Sequence, residues 1–116
     1  MALTPESFAR TLADPTRLRI LMLLQVRDEL CVCELTATLD LPQPKISRHL
    51  AILRETEMLL DRRRGTWIYY RLHPGLPAWA LDALAAVASG CSGTQPYEQD
   101  WERLASLSQD STGTCD

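Results

Sequence analysis

Cys31 and Cys33 place two thiols within three residues of one another. Such a pair packs poorly as core, but it can grip a soft, thiophilic ion. The plain alternative is two small buried side chains. Successive residues of a helix turn by about 100°, so positions i and i+2 point to nearly opposite sides. Both thiols can bond one ion only if Cys31 stands at or before a helix start, or if binding unwinds that turn. A helix start also favours the thiolate that binds. Two further cysteines, Cys91 and Cys115, lie far along the chain. The N-terminus lacks a basic start followed by an apolar run, which predicts a cytoplasmic protein with no secretory signal. There the thiols stay reduced, favouring ion binding or redox chemistry over structural disulfides.

A second set of residues points to nucleic acid. Gln43, Lys45, Ser47, Arg48 and His49 form a polar run, and Arg62, Arg63 and Arg64 follow as a cluster. The formal net charge is −3, yet residues 42–73 hold seven lysines and arginines against three acids, and residues 74–116 hold one against six. Phosphate binding needs a basic face rather than a basic protein. Gln43, Ser47 and Arg48 are expected near bases, Lys45 and His49 near phosphates, and the three arginines over the backbone or minor groove. No cysteine stands beside an anion-binding loop or a catalytic histidine, so no enzyme is expected.

The elements that position these residues follow from periodicity. Thr4 and Pro5 open a short helix to Ala13. Asp14 and Pro15 open a second, to about Val26, with Leu18, Ile20, Leu21 and Leu24 inward. A third runs from Cys31 to Leu39, with Val32, Leu35 and Leu39 inward. After the turn at residues 40–44, a fourth runs from about Gln43 to Glu55 with Ile46, Leu50 and Leu53 on one face. Residues 59–72 alternate like strands, with Arg62-Arg63-Arg64-Gly65 between them as a basic tip. Trp67, Tyr69 and Tyr70 are read as packing rather than base-stacking residues. A fifth helix spans Pro77 to Ser89, stopped at Gly90. It is so rich in alanine and other apolar residues that a partner helix is expected against it, and Trp79 belongs to core or interface. Residues 1–90 read as one domain, and residues 91–116 as a partly disordered extension with a short helix over 97–107. The order is that of a winged helix-turn-helix, mainly α with one β-hairpin. Apolar stretches are too short for a membrane span.

Four segments carry a family likeness. Residues 12–21 (LADPTRLRIL) resemble the opening signature of the ArsR/SmtB metalloregulatory repressors. Residues 43–54 (QPKISRHLAILR) resemble their recognition helix, and residues 62–72 (RRRGTWIYYRL) their wing. Residues 29–35 (ELCVCEL) are similar to the metalloid box of the arsenical-resistance operon repressors. The resemblance implies a homodimer joined through its first and last helices. It also implies double-stranded operator binding that needs no cofactor, with release on metalloid binding. Two departures stand out. Thr36 occupies a position where the family often has a third cysteine, and Pro42 replaces a frequent capping serine, leaving Gln43 or Asp40 to cap. Trivalent arsenic or antimony is favoured as inducer. Four-coordinate zinc would want His or carboxylate help, and His49 and His73 are poorly placed. The family's zinc sensors also use His and acids on a last helix that here holds only Asp82. Its cadmium and lead sensors draw on N-terminal cysteines absent here. Cys91, Cys115 or a small thiol such as glutathione would complete the shell, with Cys91 the leading candidate in the chain. A thiol redox switch at Cys31, Cys33 or Cys91 is the alternative function.

Overall fold

Proline and a capping side chain start both N-terminal helices. α1 (Pro5–Leu12) is capped by Thr4, whose hydroxyl accepts from the Ser7 amide at 3.2 Å while Ser7 Oγ accepts from the Thr4 amide at 3.1 Å. α2 (Pro15–Val26) is capped by Asp14, whose carboxylate accepts from the Thr16 and Arg17 amides at 2.9 and 3.1 Å. The computed structural model describes residues 3–110. Five consecutive residues of α2, Ile20 to Leu24, are buried. A helix covered on all sides is the centre of its domain, and the other elements are arranged about it.

After α2 come β1 (Leu30–Cys31), α3 (Val32–Leu39), α4 (Gln43–Glu55), β2 (Leu59–Arg64) and β3 (Trp67–Leu72). The strands form an antiparallel sheet in the order β1-β3-β2. The short β1 is not foreseen in the sequence. It pairs Leu30 with Tyr70 and Cys31 with Tyr69. The wing also differs from expectation. Arg62, Arg63 and Arg64 lie inside β2, paired with Tyr69, Ile68 and Trp67, and only Gly65 and Thr66 make the turn. Gly65 takes a φ of +63° there, a conformation side chains resist. Because the loop is so tight, the ladder continues through all three arginines. Leu30, Leu59 and Tyr70 bury the inner side of the sheet. The arrangement is a winged helix-turn-helix.

α5 (Ala78–Cys91) and α6 (Tyr97–Asp110) complete the chain. Gly90 does not stop α5, which continues to Cys91. Phe8 and Trp79 meet edge to face at 5.3 Å, joining α1 to α5. α6 outruns the expected short helix and is built into the core: Leu104 is buried, and α6 packs extensively on α3 and α2. Residues 111–116, including Cys115 and the end of the expected disordered tail, lie outside the described residues. Asp100 is buried and takes two bonds from Arg19, Nε to Oδ2 and Nη2 to Oδ1, both at 2.8 Å. Arg19 also donates to the Leu39 carbonyl at 3.1 Å, so one guanidinium closes the end of α3 and holds α6. A buried charge stripped of its partner is costly. Asp100→Ala should therefore lower unfolding free energy by about 3 kcal/mol in a urea titration. A loss under about 1 kcal/mol would place the pair among ordinary exposed ion pairs.

Candidate DNA-reading face and thiol site

α3 and α4 form the helix-turn-helix. Asp40 ends α3 in the left-handed region, φ 55° and ψ 49°, its amide donating to the Thr36 carbonyl at 2.9 Å. That role removes Asp40 as a cap for α4. The N-cap position is Pro42, with no side-chain hydrogen bond, and Gln43 instead donates to Ser47 Oγ at 2.6 Å. Neither expected substitute cap is used. Ile46, Leu50 and Leu53 bury one face of α4. Gln43 and Arg48 are exposed and Lys45 and Ser47 partly so, leaving a polar face free along the first two turns.

His49 departs from the expected phosphate-contacting role. It is only 8% exposed and points towards the junction of α1 and α2. Its Nδ1 lies 3.3 Å from Arg17 Nη1 and 3.8 Å from the Asp14 carboxylate. Arginine can only donate, so Nδ1 accepts and the ring is neutral. Arg17 also donates to the Thr11 carbonyl at 2.8 Å. The group ties the recognition helix to the start of α2 and the end of α1. Sequence reading missed it, although the signal was present: His49 lies three residues after Ile46 and four before Leu53, on the buried stripe. Burial pushes the His49 pKa down; Asp14 pulls it up, while Arg17, Arg48 and Lys45 lower it further, and the net shift is downward.

The wing arginines are not equivalent. Arg62 is held by a bidentate ion pair with Glu29, which precedes β1. That bond, opposed by burial, holds Glu29 below the usual carboxylate range. The Arg62 and Arg64 guanidinium groups lie 5.8 and 5.9 Å from the Tyr69 ring centroid. Arg63 points to the other side of the strand and is exposed. Tyr70 is buried as packing, as expected for a strand aromatic.

The thiols stand behind this face. Cys31 is both the last residue of β1 and the N-cap of α3, with extended backbone, φ −89° and ψ 168°. Of the two routes the spacing allowed, the chain takes the first: Cys31 is off the helix and no turn need unwind. Cys33 lies in the first turn, and the two Sγ atoms are 3.5 Å apart. Glu34 Oε1 accepts from the Cys31 amide at 2.9 Å, fixing the junction. Cys31 is fully buried and Cys33 half-buried. Cys91 is not brought to them. It ends α5 inside the core, where burial pushes its thiol pKa up. Among the described residues no three His, Cys, Asp or Glu side chains gather as a metal-holding group.

The fold and this exposed recognition face define a helix-turn-helix transcriptional regulator. Residues 14–59 match the family model described as "Bacterial regulatory protein, arsR family". The chain is 52% identical over 99 residues to the arsenic resistance transcriptional regulator ArsR1 of Pseudomonas putida, covering 85% of this chain and 72% of that protein. It is 58% identical over 78 residues to the arsenical resistance operon repressor of Escherichia coli, 67% of each. The crystal structure of the AntR antimony-specific transcriptional repressor superposes with a TM-score of 0.65 at 25% identity, covering 80% of this chain and 86% of that one. The protein belongs to the ArsR family of transcriptional repressors and is a regulator, not an enzyme. No helix among the described residues is long and apolar enough to cross a membrane.

Two outcomes follow from the geometry. Below about pH 6.5 the unfolded chain protonates His49 while the folded chain, its pKa lowered, resists. Stability should therefore fall as pH drops from about 6.5 towards the folded pKa, and His49→Gln should remove that part of the slope in denaturant midpoints. An unchanged slope in the variant would refute the assignment. Arg63→Ala should weaken DNA binding across sequences and flatten the plot of log K against log salt by about one unit. Arg62→Ala, whose charge is already paired, should flatten it less; equal slopes would contradict the inequality of the two side chains.

Proposed function

We propose that this chain is a cytoplasmic, arsenical-resistance repressor that binds operator DNA as a homodimer. It is released when trivalent arsenic or antimony bonds to Cys31 and Cys33. The observation that carries the reading is the 3.5 Å separation of the two sulfurs across a strand-to-helix junction. Two metal–thiolate bonds of about 2.3 Å, meeting between a right angle and the tetrahedral angle, put their sulfurs about 3.3–3.8 Å apart. The donor set is two soft thiols with no histidine beside them, which suits a thiophilic metalloid better than zinc. Within the described chain Cys91 does not join the pair, which leaves Cys115, a thiol of the partner protomer or a small thiol such as glutathione to complete the shell. Ligand bonding acts at the point where β1, paired to the wing, becomes α3, the support of α4. A change there reaches both DNA-reading elements.

The dimer is assigned to α1 and α5. Trp79 and Leu81 of α5 remain 41% and 46% exposed, large apolar groups left uncovered on a helix otherwise rich in alanine. Gln43, Lys45, Ser47, Arg48 and the free wing arginines supply the DNA contacts, with His49 as a brace beneath them.

The same sulfur proximity also suits the second reading, a thiol redox switch. One experiment separates them. Cys31→Ser/Cys33→Ser protein should bind operator DNA within about threefold of the parent in a gel shift. It should no longer let go with arsenite under full reduction, as the parent does. Release of the parent by diamide alone, with arsenite inert, would establish the redox reading instead.

A further inference from the structure

We propose that Glu29 and DNA compete for Arg62, so that Glu29 sets how tightly the wing holds a duplex. Glu29 precedes β1 and reaches across to β2. Its Oε2 accepts from Arg62 Nε at 2.8 Å and its Oε1 accepts from Nη2. Arg64 and Arg71 lie within electrostatic reach of the same carboxylate. The strand register puts Arg62, Arg64, Tyr69 and Arg71 on one face of the sheet. One acid thus stands among three of the wing's cations. A carboxylate in such a patch works against the attraction of a polyanion.

An arginine grips a phosphate through the same paired N–H groups with which it grips a carboxylate. Glu29 therefore occupies an edge of Arg62 that a phosphate would use. The two side chains are 51% and 22% exposed, Arg62 the more open, so their bonds can part without disturbing the core. An ion pair this open is weak, worth at most about fivefold in an equilibrium constant, and a DNA phosphate can displace it. A clamp that the fold depends on is buried, as Asp100 is against Arg19. Tyr69 supplies the second support. Its ring lies 5.8 and 5.9 Å from the guanidinium groups of Arg62 and Arg64. Arg62 freed from Glu29 keeps this ring to lie on and stays available to a duplex. The backbone of Tyr69 pairs with Arg62 on one side and with Cys31 on the other. The contested guanidinium thus stands in the same row of the sheet as the first thiol.

The test uses the full-length protein and a labelled random-sequence duplex of about 30 base pairs, because phosphate contacts carry no sequence information. Fluorescence anisotropy gives the binding constant from about 0.05 to 0.2 M salt. Glu29→Gln keeps the size of the side chain and removes its charge. It should tighten binding by about three- to fivefold and steepen the plot of log K against log salt by about 0.5–1 unit. Glu29→Ala should do the same, which guards against an effect peculiar to glutamine. In an Arg62→Ala background either substitution should change binding by less than about twofold, since the contested side chain is gone. An equal gain in that background would make Glu29 a general source of repulsion and overturn the competition. Unchanged or weaker binding by both variants would make the pair a scaffold for β1 and overturn it too. The inference rests on the wing arginines touching phosphate. Arg63→Ala with the parent's salt slope would remove that reading and the inference with it. A shallower slope in Arg63→Ala, with no gain on losing Glu29, would remove the inference alone.

Discussion

The molecule depends on the conformation of one residue, Cys31. Its backbone is extended enough to pair with Tyr69, yet it occupies the N-cap from which α3 departs. A fully helical Cys31 would send its thiol away from Cys33, because two steps of a helix turn through about 200°. A longer strand would carry it out of reach. The junction is held from both sides, by the sheet pairing and by Glu34 bonding to the Cys31 amide. Glu29, one residue before β1, adds the ion pair to Arg62. The thiol segment is thus part of the wing and part of the helix-turn-helix at once.

The recognition helix is held from behind rather than capped in front. Ile46, Leu50 and Leu53 bury against the core. His49 adds a polar anchor to Arg17 and Asp14, which themselves define the start of α2. The N-terminus of α4 has no side-chain cap, so its support comes from packing and this anchor. Charge placement follows the same logic. Cations crowd α4 and the wing, while the acids of α6 include Asp100, spent on Arg19 within the core.

α6 makes α3 part of a larger unit. Arg19 joins Asp100 to the end of α3, Arg103 donates to the Thr38 carbonyl at 3.4 Å, and the Trp101 indole donates to Met22. α3 is therefore clamped between α6 and the sheet. α3 is thus fixed along one side by α6 and tied to the wing at its start.

Much of the fold was legible in the residues because its signals are local. The caps at Thr4 and Asp14, the apolar stripe of α4, the alternation of residues 67–72 and the polarity of the recognition face depend only on neighbours a few positions apart. The thiol pair could be singled out for the same reason. What the sequence could not decide were the pairings across the chain. These include β1 on β3, Glu29 with Arg62, His49 with Arg17, Asp100 with Arg19, and Cys91 buried in the core without joining Cys31 and Cys33. A two-residue strand has no period to detect, and a salt bridge spanning 81 residues leaves no local trace. The sequence by itself determined that two thiols would stand near a DNA-reading helix. Only the tertiary structure decided that they face one another, because it took a strand from the wing to pull Cys31 off the helix.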